Sequence, residues 1–345
     1  MLRAISLADT YKYTAKPNPV VGALILKDEI IISEGAHERF GENHAEINAI
    51  EAANKQFGKS FESFADLILI CTLEPCNHSG KTGPCTKAII DSGIKKVIIG
   101  SEDPNPIVAG KGIDKLIENG INVEVGLCKN LVERQNKFFF FKHKNKRPYL
   151  TAKIASSADG KSHKKDGRST WITCEESRQD VQRVRAKYDA ILTGGNTVRD
   201  DNPRMNARVN FEVNQPKKIL LSNKHDLKKT GNNFFRDAEV QVITETNLKK
   251  IISSFQDLEY CSILIEAGPK LVNAFLLNDL IDELIIYQSQ DLLGLNGVDW
   301  FKKDNAIENL GFKLESSYKI KTDTKYIYKK MLKDNIAEII EDIKQ

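Results

Sequence analysis

The stretch that constrains this chain most is Asn43-His44-Ala45-Glu46, together with its counterparts Glu74-Pro75-Cys76 and Gly83-Pro84-Cys85. One histidine and two cysteines are the ligands a tetrahedral zinc takes, and a set of three leaves the fourth position to water. The chain must therefore fold so that three separate segments meet at one point. Glu46, two residues after the histidine, can reach a water at the metal without ligating the metal. Metal-activated water beside a proton-carrying carboxylate is hydrolytic chemistry. A purely structural zinc would need a fourth protein ligand. His78, in the loop between the cysteines, is the residue that could supply it. Taken singly, His44 would be a helix-cap histidine and each cysteine a buried thiol; the combination carries the metal reading.

H-x-E with proline-cysteine elements marks the zinc-dependent base deaminases, where two residues usually separate the cysteines. Here eight residues separate Cys76 from Cys85. From the residues alone two alternatives stay open. One is a deaminase acting on cytosine or adenine in RNA. The other is a zinc-stabilised binding module, which gives no reason for Glu46. A net charge of +4 over 345 residues offers the RNA reading no electrostatic support.

A chain of this length exceeds one ordinary core and suggests about two domains. No apolar run approaches the roughly 20 residues of a membrane span. Residues 1–26 lack a signal-peptide layout, so a cytoplasmic location is expected. The six cysteines should then stay reduced. Cys71, Cys128 and Cys261 lie in apolar, strand-like stretches and read as small core residues.

Hydrophobic periodicity predicts an α/β unit first. A helix over Met1–Tyr13 ends at Lys16-Pro17-Asn18-Pro19, where the prolines remove donors. A hairpin, Val20–Leu26 with Ile30–Ser33, precedes a helix over His44–Ala53. Strands at Leu67–Cys71, Val97–Gly100 and Val123–Val125 alternate with helices near Thr86–Ser92 and Gly112–Asn119. Ligand sites in such sheets lie at the C-terminal strand ends, where the metal cluster falls. Phe138–Phe141 and the basic run Lys142–Pro148 mark the boundary, the basic run being read as solvated chain.

A second α/β unit opens at Tyr149–Ala155. Strands are expected at Ala190–Thr193, Ile219–Ser222, Val240–Thr244, Ser262–Glu266 and Leu284–Tyr287, with more around Phe312–Tyr318 and Tyr326–Lys330. Helices are expected at Glu175–Lys187, Leu248–Phe255 and Lys270–Leu277, and a short charged one at Ala337–Gln345. Gly194-Gly195-Asn196-Thr197 and Glu266-Ala267-Gly268-Pro269 sit at strand–helix junctions, where backbone N–H groups can hold phosphate. Arg185, on a helix, would by residue type alone be surface charge.

Four runs in the first half resemble the bifunctional riboflavin-biosynthesis deaminase/reductase family: Pro17-Asn18-Pro19-Val20-Val21-Gly22, Asn43-His44-Ala45-Glu46, Thr72 through Cys85, and Asp103-Pro104-Asn105-Pro106. That family has the long cysteine spacing. Three runs in the second half resemble its reductase: Lys153 through Gly160, Ser169 through Thr173, and Thr197 through Pro203. The chain departs from the family's usual residues at Ala158, at Asn202 and over Met205-Asn206-Ala207.

The resemblance implies a cytidine-deaminase-like α/β/α sandwich over 1–141, a dihydrofolate-reductase-like α/β domain over 148–333, and a tail over 334–345. It implies zinc on His44, Cys76 and Cys85, with Glu46 as proton shuttle. Asn18, His37, His78 and Lys81 would contact the pyrimidine or its phosphate. NADPH would lie against Ala155, Trp171, Thr197, Asp201, Ser222, Gly268, Pro269 and Lys270. The second substrate would meet Lys153, Ser169, Arg185, Met205, Arg208 and Glu266.

The implied activities are hydrolytic deamination of 2,5-diamino-6-(5-phosphoribosylamino)pyrimidin-4(3H)-one and NADPH-dependent reduction of the ribosyl group of 5-amino-6-(5-phosphoribosylamino)uracil to ribityl. Partners would be these small pyrimidine ribosyl-phosphates and further copies of the chain, with no nucleic acid and no membrane.

Overall fold

The computed structural model describes residues 1–57, 64–78, 83–165, 171–223, 231–236, 239–301 and 307–331. The chain forms two compact units, Met1–Lys146 with Glu212–Asn214, and Arg147–Phe211 with Gln215–Gln345. Lys81, Ser169 and the expected helix at Ala337–Gln345 lie outside the described residues.

The first unit runs α1 (Leu2–Thr10), β1 (Gly22–Lys27), β2 (Ile30–Ala36), α2 (Ala45–Phe57), β3 (Ile68–Leu73), α3 (Cys85–Ser92), β4 (Lys96–Ser101), α4 (Lys111–Glu118), β5 (Asn122–Val125), α5 (Lys129–Gln135) and α6 (Lys137–Asn145). Its sheet has the order β2-β1-β3-β4-β5. β1 is antiparallel to β2 and β3, and β3, β4 and β5 are parallel. One face buries Ala23, Ile25, Leu69, Cys71, Val97 and Ile99 against Ala45, Ala49 and Ala53 of α2, Ile89 of α3 and Leu116 of α4. On the other, Ala4 of α1 packs on Leu24 and Ile70. Helices on both faces make an α/β/α sandwich.

The helix that carries the metal motif lies directly on backbone. A Cβ at Gly35 of β2 would stand 2.3 Å from the Ala45 carbonyl oxygen and the Ala49 nitrogen. Only glycine opposite a row of alanines lets α2 come this close.

Two expectations need correction. The basic run is expected as irregular solvated chain; residues 142–145 are instead the last turn of helix α6, although residues 144–146 are exposed. Four consecutive phenylalanines hide the helical period. The preceding residue, Asn136, is buried and exchanges two hydrogen bonds with the Val20 backbone, at 2.8 and 3.0 Å. Cys128 is not in a strand: it is the half-buried residue before α5, at φ 62°. Cys71 and Cys261 are buried, as expected.

The second unit runs β6 (Tyr149–Ser156), β7 (Lys161–Lys164), α7 (Glu175–Lys187), β8 (Ala190–Gly194), α8 (Gly195–Asp201), β9 (Lys217–Leu221), β10 (Val240–Ile243), α9 (Leu248–Ser254), β11 (Ser262–Ile265), α10 (Pro269–Leu277), β12 (Glu283–Gln288), β13 (Gly297–Asp299), β14 (Phe312–Ile320) and β15 (Asp323–Lys330). Eight strands form one sheet, β10-β9-β8-β11-β6-β12-β15-β14, and β13 pairs with β7. From β10 through β12 the neighbours are parallel, while β15 and β14 are antiparallel additions. Parallel strands buried on both faces read as continuous apolar runs; Ala190–Leu192 and Ile263–Ile265 are such runs, all at 0% exposure. The small β7–β13 pair had no sequence signal, since Lys161-Ser162-His163-Lys164 contains no apolar residue.

Candidate metal centre and reductase site

His44 stands immediately before α2, Cys76 three residues beyond the end of β3, and Cys85 is the first residue of α3. Their ligand atoms all lie within 4.8 Å of one another. His44 Nδ1 is 3.5 Å from Cys76 Sγ and 3.3 Å from Cys85 Sγ, and the Cys85 backbone N–H faces Cys76 Sγ at 3.5 Å. The Cys85 thiol and the His44 imidazole favour thiolate at Cys76 and lower its pKa. The adjacent Cys76 and burial push Cys85 up. Two sulfurs and one imidazole nitrogen at this spacing fit zinc. Among the described residues no other group of this kind occurs, and His78 is exposed and outside it.

Glu46, in the first turn of α2, is 3% exposed. Burial raises its carboxyl to about 7, against the opposing pull of His44. Its Oε2 is buried with no hydrogen-bond partner. A carboxylate oxygen left unpaired in the interior is costly, unless a water or substrate proton belongs there.

Asn18 and His37 come to the same place. His37 is 3% exposed and meets the His44 ring edge-on, with centroids 5.3 Å apart. Its Nδ1 faces the Asn43 carbonyl oxygen at 3.1 Å and must donate to it, which leaves Nε2 to accept from Asn18 Nδ2, also at 3.1 Å. That fixes the Asn18 amide and leaves its oxygen for a ligand.

Glu74 does different work from its neighbours in the motif. Its Oε1 accepts from the Gly112 and Ile113 amides at 2.9 and 3.3 Å, and its Oε2 from Asp103 and Gly110, both at 3.1 Å. The carboxylate thus caps the N-terminus of α4, where anions are favoured, and ties the Cys76 loop to that helix. A Cβ at Gly112 would stand 2.0 Å from the Pro75 carbonyl oxygen. The sequence shows no local cue for a cap 36 or more residues away.

In the second unit most of the expected cofactor residues gather at the C-terminal ends of parallel strands. Ala155 is near the end of β6, Thr197 is in α8 just after β8, Ser222 follows β9, and Gly268-Pro269-Lys270 opens α10 after β11. A Cβ at Gly195 would lie 2.7 Å from Ser222 Oγ, so β8 and β9 present their ends together. Nothing stands within 4 Å of a Cβ at Gly268, which leaves the start of α10 open to an approaching phosphate. Thr193 Oγ1, at the end of β8, is buried with no partner. This cradle fits a dinucleotide. Trp171 is 77% exposed, with the Arg178 guanidinium over its ring at 4.7 Å. Burial raises the Asp201 carboxyl, and Asp200 adds to the effect.

The residues expected to meet the second substrate include a buried ion pair. Arg185 Nε and Nη2 grip Glu266 Oε1 and Oε2 at 2.6 and 2.9 Å, and Lys153 Nζ lies 3.3 Å from Oε2. Burial alone would raise Glu266, but Arg185 and Lys153 override it and hold the carboxyl at about 2. Arg208 has its guanidinium pKa lowered by burial and by the charges of Arg185 and Arg204. Lys153, Arg185, Arg204 and Arg208 against one carboxylate leave excess positive charge for an anion. Arg204 is not among the residues expected from the sequence, although it directly follows Pro203 at the end of the Thr197-through-Pro203 run. Met205 is buried at φ 48°, and Asn202 stands at φ 43° with its Oδ1 accepting from the Asn233 amide at 2.7 Å. Asparagine tolerates that left-handed conformation better than other residues with a side chain. Asp159 accepts from Ser157 Oγ at 2.6 Å and from the Leu293 and Gly294 amides, organising its loop.

A model of the cytidine and deoxycytidylate deaminase zinc-binding region matches residues 1–101, and one of the RibD C-terminal domain matches 148–326. The riboflavin biosynthesis protein RibD of Aquifex aeolicus is 34% identical over 316 residues, covering 85% of this chain and 87% of that protein. The chain belongs to the RibD family. RibD of Bacillus amyloliquefaciens is 37% identical, with 85% and 84% covered. The structure of Acinetobacter baumannii RibD superposes with a TM-score of 0.87 at 35% identity, over 96% of this chain and 98% of that one. A Thermotoga maritima structure described as a diaminohydroxyphosphoribosylaminopyrimidine deaminase/5-amino-6-(5-phosphoribosylamino)uracil reductase gives 0.83 at 34% identity, covering 96% and 97%. As a RibD-family chain this is an enzyme of riboflavin biosynthesis with a zinc-dependent deaminase domain and an NADPH-dependent reductase domain.

Proposed function

We propose that the first unit deaminates 2,5-diamino-6-(5-phosphoribosylamino)pyrimidin-4(3H)-one and that the second reduces the ribosyl group of the resulting 5-amino-6-(5-phosphoribosylamino)uracil to ribityl. The observation that carries the reading is a three-ligand cluster beside a buried carboxylate oxygen that has no partner. His44, Cys76 and Cys85 would hold zinc, which would supply a Lewis acid able to lower the pKa of water to about 7. With the metal bound, Glu46 would take one proton from the attacking water and give it to the ring nitrogen, then carry the second, from the hydroxyl so formed, to the departing ammonia. Asn18, held by His37, orients the pyrimidine; His78 and Lys81 contact the substrate or its phosphate.

In the second unit Ala155, Trp171, Thr197, Asp201, Ser222 and Gly268–Lys270 hold NADPH, which supplies the hydride. Glu266 orients Arg185 and Lys153. Arg208, with Arg204, binds the substrate phosphate, and Ser169 and Met205 contact the same substrate. The division we propose is 1–141 for deamination, 148–333 for reduction and 334–345 as a tail. The mild net charge of +4 gives a nucleic-acid substrate no electrostatic support. No described helix is long and apolar enough to cross a membrane. A cytoplasmic homo-oligomer completes the reading.

The test is incubation with the diaminopyrimidine, with and without NADPH, following ammonia and cofactor absorbance together. Glu46→Ala should abolish ammonia release yet spare NADPH oxidation when the deaminated pyrimidine is supplied. Loss of both would refute independent sites.

A further inference from the structure

The turn that presents Asn18 is poor in donors of its own, because Pro17 and Pro19 lack N–H groups. It is held from outside. On one flank, Asn136 exchanges its two hydrogen bonds with Val20. On the other stands a strap from much later in the chain, Glu212–Asn214, which folds as part of the first unit. The Asn214 backbone N–H donates to the Tyr13 carbonyl at 2.8 Å, and its side-chain Nδ2 donates to the Lys16 carbonyl, also at 2.8 Å. Glu212 anchors the strap through the Arg39 guanidinium, at 2.6 and 2.8 Å. Lys16 is only 7% exposed, so its carbonyl has little access to water, and it lies two residues from Asn18. Asn18 in turn reaches His37 Nε2 at 3.1 Å, and His37 packs against His44.

We propose that Asn214 is a positioning residue for deamination, fixing the Lys16–Pro19 turn so that the Asn18 amide meets the pyrimidine. The proposal rests on the assignment of Asn18 to the substrate. Asn214 touches no reacting atom. Its effect falls on the binding of a ring that Asn18 must orient, and leaves the metal ligands and Glu46 untouched.

The experiment is deamination kinetics of Asn214→Ala and of the near-isosteric Asn214→Asp, which replaces the side-chain donor with a charged acceptor facing the Lys16 carbonyl, each also combined with Asn18→Ala. Loss of one oriented hydrogen bond should raise KM by about three- to tenfold. kcat should stay within about twofold and zinc content should be unchanged. On the Asn18→Ala background, Asn214→Ala should add nothing. Unchanged KM in both single variants would overturn the proposal, as would an additive loss in the double variant or loss of zinc with the single ones. Arg39→Ala loosens the strap at an exposed ion pair and should give a smaller KM increase in the same direction; no change there together with unfolded Asn214 variants would also overturn it. If Asn18→Ala itself deaminates normally, the Asn18 assignment has failed; if Asn18→Ala is impaired and Asn214→Ala is not, only the strap's role has.

Discussion

Glu266 is an acid kept ionised inside the protein by the fork of Arg185 and the ammonium of Lys153. Its folded-state pKa of about 2 lies below the ordinary 4.5. The stability it contributes is therefore fully present above about pH 4.5 and is lost as pH falls towards 2. Denaturant titrations between pH 5 and 3 should show wild-type stability falling with pH, and Glu266→Gln should flatten that fall. Arg185→Leu leaves the carboxylate to Lys153 alone and should lower stability, by less than the about 3–5 kcal/mol of a wholly uncompensated buried charge, measured by the same titrations at pH 7. In the metal site, Cys76→Ser should strip the zinc, and metal analysis showing full occupancy would remove Cys76 from the ligand set. The metal cluster was legible in the sequence because ligand type and a nearby glutamate are local signals. The Arg185–Glu266 pair was not, because 81 residues separate its partners and an arginine on a helix resembles solvated charge.

At the scale of elements, the site depends on where α2 and α4 sit. Gly35→Val should force α2 off β2, destabilise the unit by about 1–3 kcal/mol and weaken zinc retention; thermal denaturation and metal analysis check both. Most strands and helices were readable from apolar periodicity. Helix α6 was not, since Phe138–Phe141 show no amphipathic period. Helix α5 was likewise missed, and Cys128 before it was placed in a strand. The role of Glu74 as a distant cap needed coordinates, because nothing in Glu74-Pro75-Cys76 distinguishes a helix cap from a part of the metal motif.

At the scale of the whole molecule, each unit buries its own apolar core. Ligands that bind only the folded state stabilise what they bind. Calorimetry with a zinc chelator should lower the transition of the first unit alone, and added NADPH should raise that of the second. A single transition moved equally by both would show that the units melt as one. Because one carboxylate, that of Glu74, holds both the Cys76 loop and the first amides of α4, those amides form a built-in spectroscopic gauge. The NMR signals of Gly110, Gly112 and Ile113, none of them a ligand, should shift and exchange more slowly as the cation loads, so that occupancy can be followed without a substrate.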